Sequence, residues 1–148
     1  MSDRRPALLD VNVLLALVVD QHVHHRAAHR RFATVRDSWA TCSTTENGLL
    51  RLLLTPQILG RPVTAGEALG VLAAIRELPG WSWVDDDASL ADARRAVDVR
   101  VLASRSHVTD LHLLDLAIRH GMALHTFDAA LARIVAPADR PSLVIWTD

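Results

Sequence analysis

The sequence predicts an α/β domain in which helices flank a central, mainly parallel sheet. Short apolar segments alternate with segments of helical periodicity along the whole chain. The 148 residues are half hydrophobic and 22% charged, which suits a sizeable core and excludes a disordered tail or a disulfide-stapled miniprotein. No stretch of proline, glycine or serine is long enough to be a linker, so we expect a single domain over residues 1–148.

The predicted strands are short apolar runs bounded by turn residues or by the start of a helix. Their alternation with helices indicates crossover connections, and therefore strands that run parallel. In such sheets a ligand binds beyond the carboxyl ends of the strands. The strands are predicted at Ala7–Asp10, Trp39–Cys42, Trp81–Val84, Met122–Thr126 and Leu143–Trp146.

The predicted helices carry apolar residues at three- and four-residue spacing. In the segment Pro62–Leu78 this spacing turns Leu69, Leu72, Ala73 and Ile75 inward. The helices are predicted at Val11–Val19, His22–Val35, from Ser43 to about Leu54, Pro62–Leu78, Ala88–Leu102, Asp110–His120 and, as a short turn, after Asp128.

The charge composition excludes several functions. All sixteen basic residues are arginines and the chain has no lysine, which excludes P-loop NTPases and Schiff-base chemistry based on lysine. The net charge of −1 also argues against a protein that coats nucleic acid by charge alone. A polyanionic substrate would therefore need local features to hold it.

The single cysteine, Cys42, cannot form an internal disulfide, and a reducing cytoplasm suits it. The longest apolar stretch, residues 7–19, is too short to span a bilayer and contains Asp10. An aspartate at that place also argues against a signal peptide. We interpret the stretch as a buried strand followed by a helix.

Four acidic residues share one placement, near a strand end or at the start of a helix. Each is followed by apolar residues at helical offsets, so each carboxylate lies on or beside a face that turns toward the core. These residues are Asp10, Glu46, Asp110 and Asp128.

Two interpretations of these acids are open. Aspartate is a preferred helix N-cap, and the pattern Ser43-x-x-Glu46 is that of a capping box. Alternatively, acids gathered at one sheet edge would repel one another unless a divalent cation neutralised them. Oxygen ligands favour Mg²⁺ or Mn²⁺ over zinc, and such a site supports phosphodiester hydrolysis by activated water. Four such residues favour the nuclease interpretation.

The segments that carry these acids resemble the acidic motifs of PIN-domain ribonucleases, and most closely those of VapC toxins from bacterial toxin–antitoxin pairs. The similarity runs in order from Leu8 to about Ile134 and includes the 18-residue step from Asp110 to Asp128. The matching segments are residues 8–15 (LLDVNVLL), 44–52 (TTENGLLRL), 108–114 (VTDLHLL) and 126–128 (TFD).

The resemblance implies a three-layer PIN-like fold, a magnesium or manganese cofactor, an RNA substrate, a homodimer and a cognate antitoxin whose tail covers the acidic groove. It also implies roles for individual residues. Asp10 would be the first metal ligand, Glu46 the second acid, Asp110 the third acid and a metal ligand, and Asp128 the fourth acid, acting through water, with Asn12 and Thr126 as polar neighbours.

Other polar residues favour structural roles. Asp115 lies about 140° around the helix from Asp110, so we expect a solvated or interface charge that does not reach the same metal. His25 and His29 have the spacing of a zinc pair, but Arg26 stands where a zincin has glutamate. We interpret that segment as a polar helix face whose arginines, Arg26, Arg30 and Arg31, are candidates for phosphate contact.

Further expectations concern aromatic and acidic side chains. The rings of Trp39, Trp81, Trp83 and Trp146 should fill the core. The run Asp85–Asp87 should be a loop and N-cap cluster before the Ala88 helix.

Two other functions remain possible from the sequence. A phosphatase of the HAD kind also has an aspartate after its first strand, but it needs Asp-x-Asp and a lysine, whereas this chain has Asp10-Val-Asn12 and no lysine. A non-catalytic module could use the same acids to bind a basic peptide, since arginine pairs readily with carboxylates.

Overall fold

Five parallel strands form the central sheet of the computed structural model, which describes residues 4–92 and 94–148. The strands are β1 (Ala7–Leu9), β2 (Trp39–Cys42), β3 (Trp81–Val84), β4 (Ala123–Thr126) and β5 (Leu143–Ile145). Their order across the sheet is β3-β2-β1-β4-β5, and every neighbouring pair runs parallel. The α/β fold class and the parallel sheet are confirmed, and all five strands lie where the sequence predicts them.

Seven α-helices connect the strands within the described residues. They are α1 (Val11–Val18), α2 (His25–Phe32), α3 (Ser43–Leu53), α4 (Pro56–Leu59), α5 (Ala65–Arg76), α6 (Val108–Arg119) and α7 (Leu131–Ile134). None of the helices described is long and apolar enough to cross a bilayer.

The sheet separates two hydrophobic clusters, which makes the fold three-layered. Successive strand side chains point to opposite faces, so Leu9 joins one cluster and Leu8 joins the other. The first cluster packs the sheet against α1, α3 and α5, and the second packs it against α6 and α7. This is the PIN-like architecture that the resemblance implies.

The helix predicted at Pro62–Leu78 is shorter in the structure, and the residues that it buries differ from those predicted. Helix α5 begins after Thr64, whose side chain and Glu67 form a capping box. Leu69 and Ala73 are exposed, so their predicted inward orientation is wrong. Ala68 and Ile75 are the buried residues of this helix.

The prediction of a helix at Ala88–Leu102 is wrong. The described part of this segment forms turns and one 3₁₀ turn at Val99–Val101. Aspartate side chains replace helical hydrogen bonds here, because Asp92 accepts from the Arg94 amide and Asp98 accepts from the Arg100 amide. Such local bonds compete with helix formation. Ala93 lies outside the described residues.

Asp115 also differs from its prediction as a solvated or interface charge. The residue is fully buried on α6, and its Oδ1 accepts hydrogen bonds from the amides of Ala96 and Val97. A buried carboxylate needs such donors. Asp115 therefore anchors the irregular segment that follows β3.

The tryptophans divide into two groups. Trp39 and Trp146 are buried in the core as expected. Trp81 is only partly buried, and Trp83 is 42% exposed on the edge strand β3, so the core assignment of Trp83 is wrong.

Gly80 fixes the turn that leads into β3. Its φ is +82°, and an added Cβ would overlap the carbonyl oxygen of Arg36. The Gly80 carbonyl accepts a hydrogen bond from the amide of Trp39, 3.0 Å away. The start of β2 is thus packed directly against this glycine.

We expect Gly80→Ala to destabilise the protein more than Gly121→Ala. Both glycines have positive φ, but a Cβ at Gly121 would meet open space. The left-handed conformation alone costs about 1–2 kcal/mol, and the overlap at Gly80 adds about 1–3 kcal/mol. Urea unfolding of the two variants measures the difference, and equal losses would contradict it.

Candidate active site

Pairing between β1 and β4 brings two of the acidic segments together. Leu9 is in register with His125, and the Asp10 amide donates to the His125 carbonyl oxygen at 3.0 Å. Asp10 follows β1 directly and Asp128 follows β4 by two residues. Both acids therefore lie at the carboxyl edge of the sheet, where ligands bind in parallel sheets.

The hydroxyl of Thr126 connects these segments. Its Oγ1 donates to Asp10 Oδ2 at 2.7 Å and accepts from Asn12 Nδ2 at 3.0 Å and from the Asp128 amide at 3.1 Å. Asn12 Oδ1 in turn accepts from the Phe127 amide at 3.1 Å. A hydroxyl has one donor and two acceptor positions, so this network uses the full capacity of Thr126.

Asp110 reaches the same place from the start of α6. Oxygen or nitrogen atoms of His107, Asp110 and Asp128 all lie within 4.8 Å of one another. His107 Nδ1 is 3.5 Å from Asp110 Oδ2, yet this buried nitrogen has no well-formed hydrogen bond among the described residues. The sequence reasoning missed His107, although its three-residue spacing from Asp110 is the signal that could have identified it.

The electrostatics show how closely these acids interact. Burial raises the pKa of Asp10 to about 6, and the nearby Asp110 and Asp128 carboxylates add to the rise while the Thr126 hydrogen bond opposes it. Burial also raises the pKa of Asp110; Asp128 adds to this rise, and His107 opposes it. The structure thus brings Asp10, Asp110 and Asp128 together.

Glu46 is buried at 5% exposure but has its own partners. Its Oε2 accepts from Thr41 Oγ1 at 3.4 Å, and its Oε1 lies 3.7 Å from Arg76 Nε. Burial raises the pKa of Glu46, and Arg76 and Thr41 oppose that rise. The Arg76 guanidinium lies over the ring of Trp81, 4.4 Å from its centroid.

The capping box predicted at Ser43 and Glu46 is wrong. The N-cap of α3 is Cys42, and the Thr45 hydroxyl accepts the hydrogen bond of the Cys42 amide at 3.0 Å. The Glu46 carboxylate is therefore free of any capping bond. Cys42 itself is fully buried, and this burial raises the pKa of its thiol.

The donor set of this edge fits a hard divalent cation. Carboxylate oxygens dominate it, and they are the ligands that Mg²⁺ and Mn²⁺ prefer. His107 Nδ1, which lies 3.5 Å from Asp110 Oδ2, is one more candidate donor beside Asp110 and Asp128. Crowded, buried carboxylates with raised pKa values are also typical of functional sites.

The histidine-rich segment has a structural explanation. His25 Nδ1 lies 2.8 Å from the Ala16 carbonyl oxygen, and His29 Nε2 lies 3.1 Å from that of Leu17. Both rings therefore contact carbonyl groups in the last turn of α1, which have no partner inside the helix. Phosphate contact by Arg26, Arg30 and Arg31 stays a prediction, although Arg31 also donates a hydrogen bond to the Ile145 carbonyl oxygen at 3.2 Å.

The acidic run after β3 does not cap a helix, so the N-cap prediction for Asp85–Asp87 is wrong. Asp86 accepts from Thr44 Oγ1 at 2.5 Å and lies 2.7 Å from His112 Nε2. Asp87 lies 3.0 Å from His120 Nε2. These contacts join the loop to α3 and α6.

Comparisons with known proteins agree with this geometry. The model of the PIN domain family matches residues 7–137. Ribonuclease VapC38 of Mycobacterium tuberculosis is 42% identical over 126 residues, which are 84% of this chain and 86% of that protein. Ribonuclease VapC39 of the same organism is 42% identical over 85% of this chain and 91% of its own length. Ribonuclease VapC44 is 35% identical over 88% and 92%.

We expect Thr126→Val to destabilise the metal-free protein by about 1–3 kcal/mol, the usual cost of leaving buried polar groups unpaired. Valine has nearly the shape of threonine but offers no hydroxyl to Asp10, Asn12 and the Asp128 amide. Thr126→Ser keeps the hydroxyl and serves as the control. Urea unfolding in EDTA measures both variants, and a valine variant as stable as the parent would show that the network is dispensable.

The raised pKa of Asp10 predicts a pH-dependent stability without metal. The pKa of Asp10 in the folded protein, about 6, lies above its ordinary value of 3.8. The contribution of Asp10 to the free energy of unfolding is therefore full below pH 4 and is lost as the pH rises through 6. The shift corresponds to a loss on the order of 3 kcal/mol.

Asp10→Asn should therefore have a larger free energy of unfolding than the parent at pH 7.5 in EDTA. The expected gain is about 1–2 kcal/mol, because the loss of one hydrogen bond offsets part of the benefit of removing the charge. Urea unfolding measures this difference. The advantage should disappear at pH 4. Asp20→Asn, at an exposed position, is the matched control and should change little at either pH. A variant that is less stable than the parent at pH 7.5 would contradict the assignment.

Proposed function

Since the chain belongs to the PIN domain family and to its VapC ribonucleases, we propose that it is a metal-dependent endoribonuclease and the toxin of a toxin–antitoxin pair. The observation that carries the proposal is the meeting of Asp10, Asp110 and Asp128 at the carboxyl edge of the sheet. The names of the relatives support RNA as the substrate.

The proposed metal site consists of Asp10, Glu46, Asp110 and Asp128, with Asp128 acting through water. Mg²⁺ or Mn²⁺, when bound, would lower the pKa of the attacking water and neutralise charge on the scissile phosphate. His107 is proposed as an additional neighbour of Asp110, because its Nδ1 lies 3.5 Å from Asp110 Oδ2.

The residues around these acids orient them. Thr126 Oγ1 and the Val11 amide bind the two oxygens of Asp10, at 2.7 Å each, so this carboxylate has one orientation and each oxygen keeps a lone pair. The Ala130 amide holds Asp128 Oδ1 at 3.0 Å. Fixed carboxylates need no rearrangement when a cation and a phosphate bind.

The HAD phosphatase alternative fits the structure less well. The second acid of Asp-x-Asp is replaced by Asn12, whose carboxamide donates to Thr126 and accepts from the Phe127 amide. Both ends of this carboxamide are used in structural hydrogen bonds, and a carboxamide does not act as a general acid or base.

The binding-module alternative also has less support. A module that attracts a basic peptide needs exposed acids, whereas Asp10 and Glu46 are each 5% exposed. Buried acids with raised pKa values suit a small cation better than an arginine side chain.

The proposal includes partners and location. We propose a cognate antitoxin that covers the acidic edge, a homodimer as the active form, and one PIN domain across residues 1–148. We also propose a cytoplasmic location, since a reducing compartment suits the single buried thiol of Cys42.

The pure protein should cut total RNA in the presence of Mg²⁺ or Mn²⁺ and should stop cutting in EDTA. Asp10→Asn should reduce cleavage by about a thousandfold, as removal of a charged transition-state contact does, while its fold is retained. Asp20→Asn is the control with the same loss of charge. Mapping the cut ends identifies the sequence preference, and metal-dependent cutting by Asp10→Asn would refute the assignment.

Two side measurements separate the alternatives. A phosphatase would release phosphate from p-nitrophenyl phosphate, and this protein should not. Mn²⁺ should raise the melting temperature of the parent, by an amount that corresponds to about 2.7 kcal/mol at one hundred times the dissociation constant. The absence of any shift, together with binding of a basic peptide, would favour the non-catalytic module.

A further inference from the structure

A pocket of about 480 Å³ lies beside the acidic edge, between the starts of α1 and α6 and one face of α3. This volume is within the range of small-ligand sites. Helix α3 contributes residues at three- and four-residue spacing, which places them on one side of the helix. The residues that line the pocket include Val11, Thr109, Asn47, Gly48 and Arg51.

The pocket adjoins the proposed catalytic acids. Val11 follows Asp10 in the chain, and Thr109 precedes Asp110. The helices are close here because Gly48 has no side chain, and an added Cβ would lie only 2.6 Å from Val11 Cγ2. A strand of RNA whose reacting phosphate lies at the acids would therefore extend over this pocket.

Such a substrate needs a second source of positive charge. A cation at the acids neutralises the reacting phosphate, but the phosphates on either side of it still experience the remaining carboxylates. The chain contains no lysine, so an arginine near the edge must supply the charge. Arginine also binds phosphate oxygens in a bidentate manner.

Arg51 and Arg76 are both candidates for this contact, but Arg76 already has partners. The Arg76 Nε is paired with Glu46 at 3.7 Å, and its guanidinium stacks on Trp81. Arg51 is exposed and lines the pocket. Within residues 4–92 and 94–148, no carboxylate forms an ion pair with Arg51.

We propose that Arg51 binds an RNA phosphate adjacent to the scissile one, and that the pocket holds the intervening nucleotide. The Asn47 carboxamide, exposed on the same face of α3, offers a donor and an acceptor to the base or sugar of that nucleotide. The site rests on the proposed ribonuclease function and identifies a substrate-binding residue for it.

Arg51→Gln should raise the KM for single-stranded RNA about tenfold and leave kcat within about twofold of the parent, because a flanking contact serves binding. The slope of log KM against log salt should fall by about 0.7, the value for one lost phosphate contact on a single strand. Arg51→Lys should recover part of the affinity, since it keeps the charge but not the fork.

Arg36→Gln is the matched control. Arg36 is exposed and precedes β2, at the opposite edge of the sheet from the acids, so this variant changes net charge equally without touching the pocket. An unchanged KM and salt slope in Arg51→Gln would overturn the proposal, as would the same change in Arg36→Gln.

Binding of a fluorescein-labelled single-stranded RNA in EDTA, measured by anisotropy, tests the site without cleavage. Loss of binding in Arg51→Gln, at an unchanged melting temperature, supports the subsite. If the parent cuts no RNA but binds this probe through Arg51, the nuclease function fails and the subsite stands. If the parent cuts RNA and Arg51→Gln binds the probe normally, the subsite alone fails.

Discussion

The hydrogen bond from Thr126 to Asp10 is the contact on which the site depends. The two residues are far apart in the chain, and they meet because β1 and β4 are adjacent and parallel in the sheet. The same hydroxyl accepts from Asn12 and from the Asp128 amide, so the ends of two strands and the start of α1 are held by one atom. The two hydrophobic clusters pack on opposite faces of the sheet and keep these strands paired. The positions of the site residues therefore depend on this packing.

This arrangement costs stability in the metal-free protein. Asp10 is buried beside other acids, and its pKa of about 6 means that ionisation at neutral pH opposes folding. Glu46 avoids much of this cost because Arg76 lies 3.7 Å away. The chain therefore places a cationic side chain beside Glu46, whereas in the proposed function a divalent cation would neutralise Asp10, Asp110 and Asp128. Proteins accept such local strain where it serves function.

The sequence predicts the strands well because each is an apolar run with a clear boundary. The prediction is wrong where side-chain hydrogen bonds replace the backbone hydrogen bonds of a helix. Asp92 and Asp98 accept from nearby backbone amides in the segment predicted as a helix. The buried Asp115 binds the same segment through the Val97 amide. The acids at the ends of β1 and β4 follow from parallel topology, whereas the sequence indicates His107 only through its three-residue spacing from Asp110. The pairing of Glu46 with Arg76 depends on the orientation of α5, which periodicity placed wrongly at Leu69.

The capping and functional interpretations of the acids are compatible. Asp10 accepts from the Val11 amide at its own helix start and also from Thr126 across the sheet, and Asp128 accepts from the Ala130 amide while lying beside Asp110. A carboxylate has about four lone-pair positions, so one capping bond fixes its orientation and leaves positions for a cation. At α3 the Thr45 hydroxyl makes the capping bond instead, and Glu46 pairs with Arg76. A capping preference in the sequence therefore does not argue against a functional carboxylate, because the capping bond fixes the orientation of that carboxylate.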